Sequence, residues 1–375
     1  MKIVIAPNAL KGSLSAAQAA EALAAGCRQA APQAELVVLP VADGGDGLVA
    51  VLTQALKAAP KTLRVSGPLG QPVEADWLYC DEHHRAVIET AAAAGLALLD
   101  PQELAPMTAN TRGVGELILA ALDAGAQRIL LGIGGSATSD GGMGMAQALG
   151  VVFRDREGRI VEAGGSHLTE IAGIDSSNLD PRLREVQIQV ICDVDNPLLG
   201  ARGAARVFAP QKGADAAQVE QLEAGLAQYA GQLEHFLGKD VRNIAGAGAA
   251  GGLGAGAIAF LNAELKPGAE LVLELLKFDD ALEGADLVIT AEGQLDGQTA
   301  FGKAPAAVAR HARAAGIPCI AIAGSLGEGA NELDKIGITK VYTLCRDSVS
   351  VEDAMSNAAE YLRETAALAT RSFCL

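Results

Sequence analysis

Residues 287–304, LVITAEGQLDGQTAFGKA, join an unbroken apolar run at 287–289 to a loop of glycines, acids and one lysine. Pro305 follows, the residue type favoured in a first helical turn. A short run without polar alternation suits a strand buried on both faces, as in a parallel sheet covered by helices. Strand, loop and helix in that order form one α/β step. The same pattern recurs at the apolar runs 3–5, 36–39, 129–131, 190–191 and 320–322. Between these runs lie amphipathic helices. Leu48, Val51, Leu52, Ala55 and Leu56 share one helical face, and Val114, Leu117, Ile118, Ala121 and Leu122 share another. Ser15 and Gln18 have capping-box spacing, and Pro305 with Gly316 brackets a further helix.

The middle of the chain is less regular. Residues 61–85 read as extended, hairpin-like segments, and 154–180 are polar and rich in turns. Clean strand–helix alternation returns from about Asp286. The expected fold is therefore α/β with two domains. A Rossmann- or flavodoxin-like three-layer domain with a parallel sheet uses residues 1–60 and 282–375, and a mixed α/β domain, 61–281, is inserted between its halves.

Bulk properties narrow the function. At 375 residues the chain can bury a large core, and a net charge of −16 argues against nucleic acid or an anionic membrane as partner. Anionic ligands must then be met by local clusters of Lys, Arg and backbone N–H groups. Half the residues are apolar, much of that Ala and Gly, which suits closely packed helices. The six cysteines lack metal or redox spacing and read as reduced, small hydrophobes. No signal-peptide pattern opens the chain and no run approaches membrane-spanning length, so a cytoplasmic protein is expected.

Ligands of open α/β sheets gather beyond the carboxyl ends of the strands, and there the loops are unusual. The first strand leads to Lys11, Gly12 and Ser13, the second to Asp43 and Asp46, and the 287–289 strand to Glu292, Asp296 and Lys303. The strand at 320–322 leads into AGSLGEG. In the middle, LGIGGSATSDGGMG places Gly134, Gly135, Ser136 and Thr138 where backbone amides can approach an anion. CDVDNPLLG offers Asp193 and Asp195 after a strand, and APQKGA offers Lys212. Carboxylates so placed suit Mg²⁺ or a general base.

Two motifs are decoys. Gly246, Gly248 and Gly251 spell G-x-G-x-x-G, but the preceding residues are polar and no strand is expected there. The stretch ending in Gly302, Lys303 and Ala304 nearly matches a Walker A loop. It lacks the final hydroxyl, and the strand is expected to end near Ala291, leaving a long gap. With no zinc spacing among the histidines and no serine-hydrolase elbow, phosphoryl transfer is the reaction class that fits best.

Eight blocks occur in order: APNALKGSLS, PVADGGDG, MTANTRGVGELI, GIGGSATSDGG, CDVDNPLLG, APQKGA, GAGAAGGLGAG and AEGQLDGQTAFGK. Together they resemble the bacterial type I glycerate kinases nearly end to end. Where that family often has Asp-Ser-Phe this chain has Asn8-Ala9-Leu10, and where Glu is common it has Asp46. The resemblance implies a kinase that uses ATP and Mg²⁺ to phosphorylate D-glycerate to 2-phosphoglycerate. It also implies two α/β domains with the active site in the cleft between them.

Residue chemistry then suggests roles. Lys11, Lys212 and Lys303 would neutralise phosphate or carboxylate, with Asp193, Lys11 and Lys303 the catalytic candidates. Ser13, Gly134, Gly135, Ser136 and Thr138 would bind substrate or phosphate, and Asp43, Asp46, Asp193, Glu292 and Asp296 would hold Mg²⁺. Rival readings are a non-catalytic sugar-acid or nucleotide sensor, a dehydrogenase built on Gly246, and a kinase giving 3-phosphoglycerate.

Overall fold

The computed structural model describes residues 1–45, 47–238, 240–296, 303–345 and 349–374. Its strands in chain order are β1 (Lys2–Ile5), β2 (Glu35–Val38), β3 (Pro60–Ser66), β4 (Pro72–Cys80), β5 (Arg85–Glu89), β6 (Arg128–Gly132), β7 (Val152–Arg154), β8 (Gly173–Asp175), β9 (Gln187–Ile191), β10 (Glu264–Lys266), β11 (Leu287–Leu295), β12 (Cys319–Leu326) and β13 (Ile338–Thr343). Its α-helices are α1 (Ala16–Ala30), α2 (Leu48–Ala55), α3 (Thr90–Ala94), α4 (Arg112–Asp123), α5 (Met143–Ala148), α6 (Ala204–Phe208), α7 (Ala216–Leu237), α8 (Ala249–Leu261), α9 (Gly268–Leu275), α10 (Phe278–Leu282), α11 (Ala304–Ala314), α12 (Val351–Ser356) and α13 (Ala358–Cys374). The chain forms two compact units. Unit 1 comprises Met1–Asp43, Ala50–Leu56 and Pro267–Leu375, and unit 2 comprises Gly44–Val49 and Lys57–Lys266.

Unit 1 is built on a five-stranded sheet in the order β13-β12-β11-β1-β2, in which every pairing is parallel. Its unbroken apolar runs are explained by burial on both faces. Ile3, Ile5, Leu287, Ile289, Ile320 and Ile322 pack towards α1 and α13, among Leu23, Cys27, Leu362 and Ala366. The alternate residues Val4, Val288, Cys319 and Ala321 pack on the other side, among Leu273, Phe278, Ala307 and Val308. Small residues set the spacing. A Cβ on Gly26 of α1 would lie 2.1 Å from the Arg363 carbonyl oxygen of α13, so only glycine lets these helices approach. Residues 267–281, expected in the inserted segment, belong to unit 1. Leu273, Phe278 and Leu282 of α9 and α10 find their apolar partners in this sheet and α11. Ser15 and Gln18 form the reciprocal capping box of α1.

Unit 2 holds a six-stranded mixed sheet, β10-β9-β6-β5-β4-β3, and a separate β7–β8 ribbon. The hairpin-like stretch is the antiparallel β3–β4–β5 meander, while β5, β6, β9 and β10 run parallel. Val114, Leu117, Ile118 and Ala121 of α4 pack on the sheet beside Ile129, Leu131 and Val190. A second core gathers Phe153, Tyr229 and Phe260. The decoy glycines serve close packing in this unit. A Cβ on Gly251 would sit 2.1 Å from the Thr138 carbonyl oxygen, and one on Gly248 would sit 2.1 Å from that of Pro197. Among the described residues no strand lies between α7 and Gly246, as a dinucleotide fold would need.

Candidate functional site

Counted along its own strands, the unit 1 sheet has the order 2-1-3-4-5, so the order reverses between β1 and β11. Loops beyond such a switch point part to opposite faces and leave a crevice. A cavity of about 360 Å³ lies there, lined entirely by unit 1 residues. Lys11, Ser13, Asp43, Glu292, Asp296 and Lys303 all reach it, so six residues chosen from three separate loops converge.

Glu292 is the most perturbed of them. It is buried, and its Oε1 lies 4.0 Å from Lys303 Nζ. Its Oε2 is buried without a hydrogen-bond partner among the described residues. Burial pushes this carboxyl up to about 7. Lys303 and Lys11 pull it down, and Asp43 and Asp296 push it further up. The carboxylate therefore stands in a cluster of mixed charge, held partly protonated near neutrality.

Asn8, set aside in the sequence as a departure from the family pattern, has a clear role here. Its Nδ2 donates to Asp43 Oδ2 at 3.1 Å, while its backbone N–H donates to the Ala291 carbonyl at 2.8 Å. It thereby ties the β2 loop to β11. Ser13 lines the cavity, but its Oγ–H donates to the Met355 carbonyl at 2.7 Å, fixing α12. Sequence reading also missed Leu344, Val351 and Met355 in the cavity wall, since isolated apolar residues give no motif signal. Asp46, expected as a metal ligand, lies outside the described residues.

The Walker comparison changes in one respect. β11 continues to Leu295, because Glu292, Gln294 and Leu295 pair with Ala323, Ser325 and Leu326 of the neighbouring β12. The expected gap before Gly297 is therefore absent, the polar residues having hidden the strand's end. Residues 297–302 lie outside the described residues. The missing hydroxyl remains the discriminating feature, since Ala304 is buried at the start of α11 with Lys303 as its N-cap residue.

The second group of expected residues lies in unit 2. Gly134 and Gly135 stand at the partly exposed edge of the loop after β6, whereas Ser136 and Thr138 are buried. Ser136 Oγ and Thr138 Oγ1 bond each other at 2.8 Å, and the Gly134, Ala137 and Thr138 amides donate to Gly44 O, Ala94 O and Ser136 Oγ. The loop is thus stitched internally rather than splayed as an open cradle. Lys212 is only 2% exposed, and its ammonium donates to the Thr138 carbonyl. Burial lowers its pKa to about 7, with Asp140 opposing the shift.

Asp140 is a residue the sequence reading quoted but did not select. It accepts from Thr111 N and Oγ1 at 2.9 Å, Gly142 N at 3.2 Å and Gly144 N at 3.0 Å. Thr111, in turn, accepts from Met145 N through its hydroxyl oxygen at 2.9 Å. Asp193 follows β9, and Asp195 is tied to Arg202 at 2.5 Å at the surface.

Similarity to known proteins identifies the family. The family model for the glycerate kinase family matches residues 3–373. The chain belongs to the glycerate kinase family. It is therefore an enzyme, a kinase. It is 47% identical over 364 residues to the glycerate kinase of Halalkalibacterium halodurans, covering 97% of this chain and 96% of that one. It is 45% identical over 358 residues to the glycerate 2-kinase of Escherichia coli K12, covering 96% and 94%. A crystal structure from Salmonella typhimurium LT2, provisionally named glycerate kinase 2, matches with a TM-score of 0.85 at 44% identity, covering 100% of this chain and 98% of that one. Among the described residues no helix is long and apolar enough to cross a membrane.

Proposed function

We propose that the protein transfers the γ-phosphoryl group of ATP to the 2-hydroxyl of D-glycerate, giving 2-phospho-D-glycerate and ADP. The observation that carries the reading is the meeting of Lys11, Lys303 and the orphaned Glu292 oxygen in one cavity of a chain from the glycerate kinase family. Phosphoryl transfer needs positioning and cations more than covalent chemistry, and lysines at a sheet switch point supply both. The name of the Escherichia coli relative supports position 2 over position 3.

Mg²⁺ fits the donor set. Among the described residues no three His, Cys, Asp or Glu side chains form a ready metal cage. Mg²⁺ in kinases is commonly held by one or two carboxylates together with phosphate oxygens and water, so a cage is not required. Asp43, Glu292 and Asp296 offer hard oxygen ligands in the cavity, and the unpartnered Glu292 Oε2 is a natural donor. A bound Mg²⁺ would neutralise charge on the phosphates. Lys11 and Lys303 bind phosphate oxygens, and Asn8 holds Asp43 in place. Lys212, sealed from solvent, supports the 134–138 loop through the Thr138 carbonyl.

The test is purified protein with D-glycerate, ATP and Mg²⁺, with ADP release and product identity followed. Absence of ADP release across a panel of hydroxy acids overturns the kinase reading in favour of a non-catalytic sensor. 3-Phosphoglycerate as sole product overturns the regiochemistry alone.

A further inference from the structure

We propose that the unit 1 cavity is the nucleotide site, with the base of ATP or ADP on its apolar wall and the phosphates at its lysines. The inference rests on the phosphoryl-transfer reading above and adds which substrate this cavity takes.

The cavity lining is of two chemical kinds. Leu10, Leu344, Val351, Ala354, Met355 and Ala358 are apolar, and Lys11, Lys303 and the carboxylates are charged. On α12, Val351 is 57% exposed and Met355 44% exposed, four residues apart on one helical face. These large apolar side chains are turned to the cavity rather than to a core. Apolar surface left in a concave site is what a flat aromatic ring covers well. Glycerate carries an oxygen on every carbon and offers nothing to such a wall. It would also leave most of a cavity of about 360 Å³ empty. A purine nucleotide has one face for the wall and one chain of anionic oxygens for the lysines.

The Lys11-Gly12-Ser13 turn joins the two kinds of lining. Lys11 faces the cavity, and Ser13 Oγ pins α12 by its bond to the Met355 carbonyl. Gly12 between them has φ of +75°, and a Cβ there would come within 3.0 Å of Met355 Cε. One turn thus places a phosphate-binding cation and fixes the base-binding wall. This gives the Lys-Gly-Ser spacing a physical reason.

Calorimetric titration of the full chain with ADP, adenosine and inorganic tripolyphosphate separates the apolar and charged contributions. ADP and adenosine should bind. A Val351→Asn/Met355→Gln double variant should weaken both by about tenfold, from lost apolar burial, and leave tripolyphosphate binding within about twofold. Lys303→Met should weaken ADP and tripolyphosphate and spare adenosine. Cys345 also lines the cavity, so its alkylation by iodoacetamide should slow with ADP or adenosine and keep its rate with D-glycerate. Shielding of Cys345 by D-glycerate but not by ADP overturns the assignment. So does unchanged ADP affinity in the double variant. Glycerate-dependent ADP release from the same preparation keeps the two claims apart. Release without ADP shielding removes the site and leaves the kinase, and no release at all removes the kinase reading itself.

Discussion

Glu292 in unit 1 and Lys212 in unit 2 are both driven to about pH 7 by burial, in opposite directions and in opposite settings. Glu292 opens on a cavity, with two lysines and two aspartates around it and one oxygen unpartnered. Lys212 is sealed, bonded to the Thr138 carbonyl, with Asp140 as its nearest influence and Asp140 itself held by amides and Thr111. The first arrangement leaves charge available to a ligand, and the second spends it on holding a loop. A perturbed pKa therefore marks a binding site only where the group also reaches open space.

The sharpest way to break that contrast is kinetic. Lys303→Met should cut kcat by about 10²–10³-fold with little change in thermal midpoint, because it removes a cation facing the reacting phosphates. Lys212→Met, which keeps the length and apolar stem, should cost at most about tenfold. Equal losses in the two variants, measured by steady-state ADP release, would erase the distinction.

Next in size is stability. Asp140→Ala should destabilise unit 2 by about 3–5 kcal/mol, since it strands the Thr111, Gly142 and Gly144 donors and leaves Lys212 without its counter-charge. A loss under about 1 kcal/mol in urea denaturation would show that the cluster is not a structural tie.

The two groups should also tilt the pH–stability curve in opposite directions. Glu292 has a folded pKa raised from 4.5 to about 7, so the folded state holds the extra proton between these values. Its contribution is present below about 4.5 and lost as pH rises through 7. Lys212 is depressed from 10.5 to about 7, so the unfolded state binds the extra proton, and stability rises with pH from about 7 towards 10.5. Each swing should be on the order of 3–5 kcal/mol. Glu292→Gln should flatten the acid side alone and Lys212→Met the alkaline side alone, as read from denaturation midpoints across pH. The smallest effect expected is Ser13→Ala. Loss of its bond to Met355 should cost about 1 kcal/mol in unit 1 and loosen α12 in hydrogen exchange.

Much of this was legible in residue order. Strands buried on both faces announced themselves as unbroken apolar runs, and the α1 capping box lay in four consecutive residues. β13 and β10 carried no such signal. β13 reads ITKVYT because as an edge strand its residues are largely half-buried or exposed, and β10 is only three residues long. The site divides in the same way. Lys11, Glu292 and Lys303 stood out because lysine and acids beside glycine are unusual after a strand. Asp140 and Asn8 did not, since their importance lies in what they touch.

The sequence by itself determined the class of fold, the family, and which loops carry charge, because periodicity and local composition act over a few residues. Only the tertiary structure decided which of those charges face a cavity and which are sealed. That depends on contacts such as Asn8 with Asp43 and Lys212 with Thr138, between residues far apart in the chain. Burial, which shifts Glu292 and Lys212 towards the same pH from opposite sides, is a property of the packed neighbourhood and is written in no single segment.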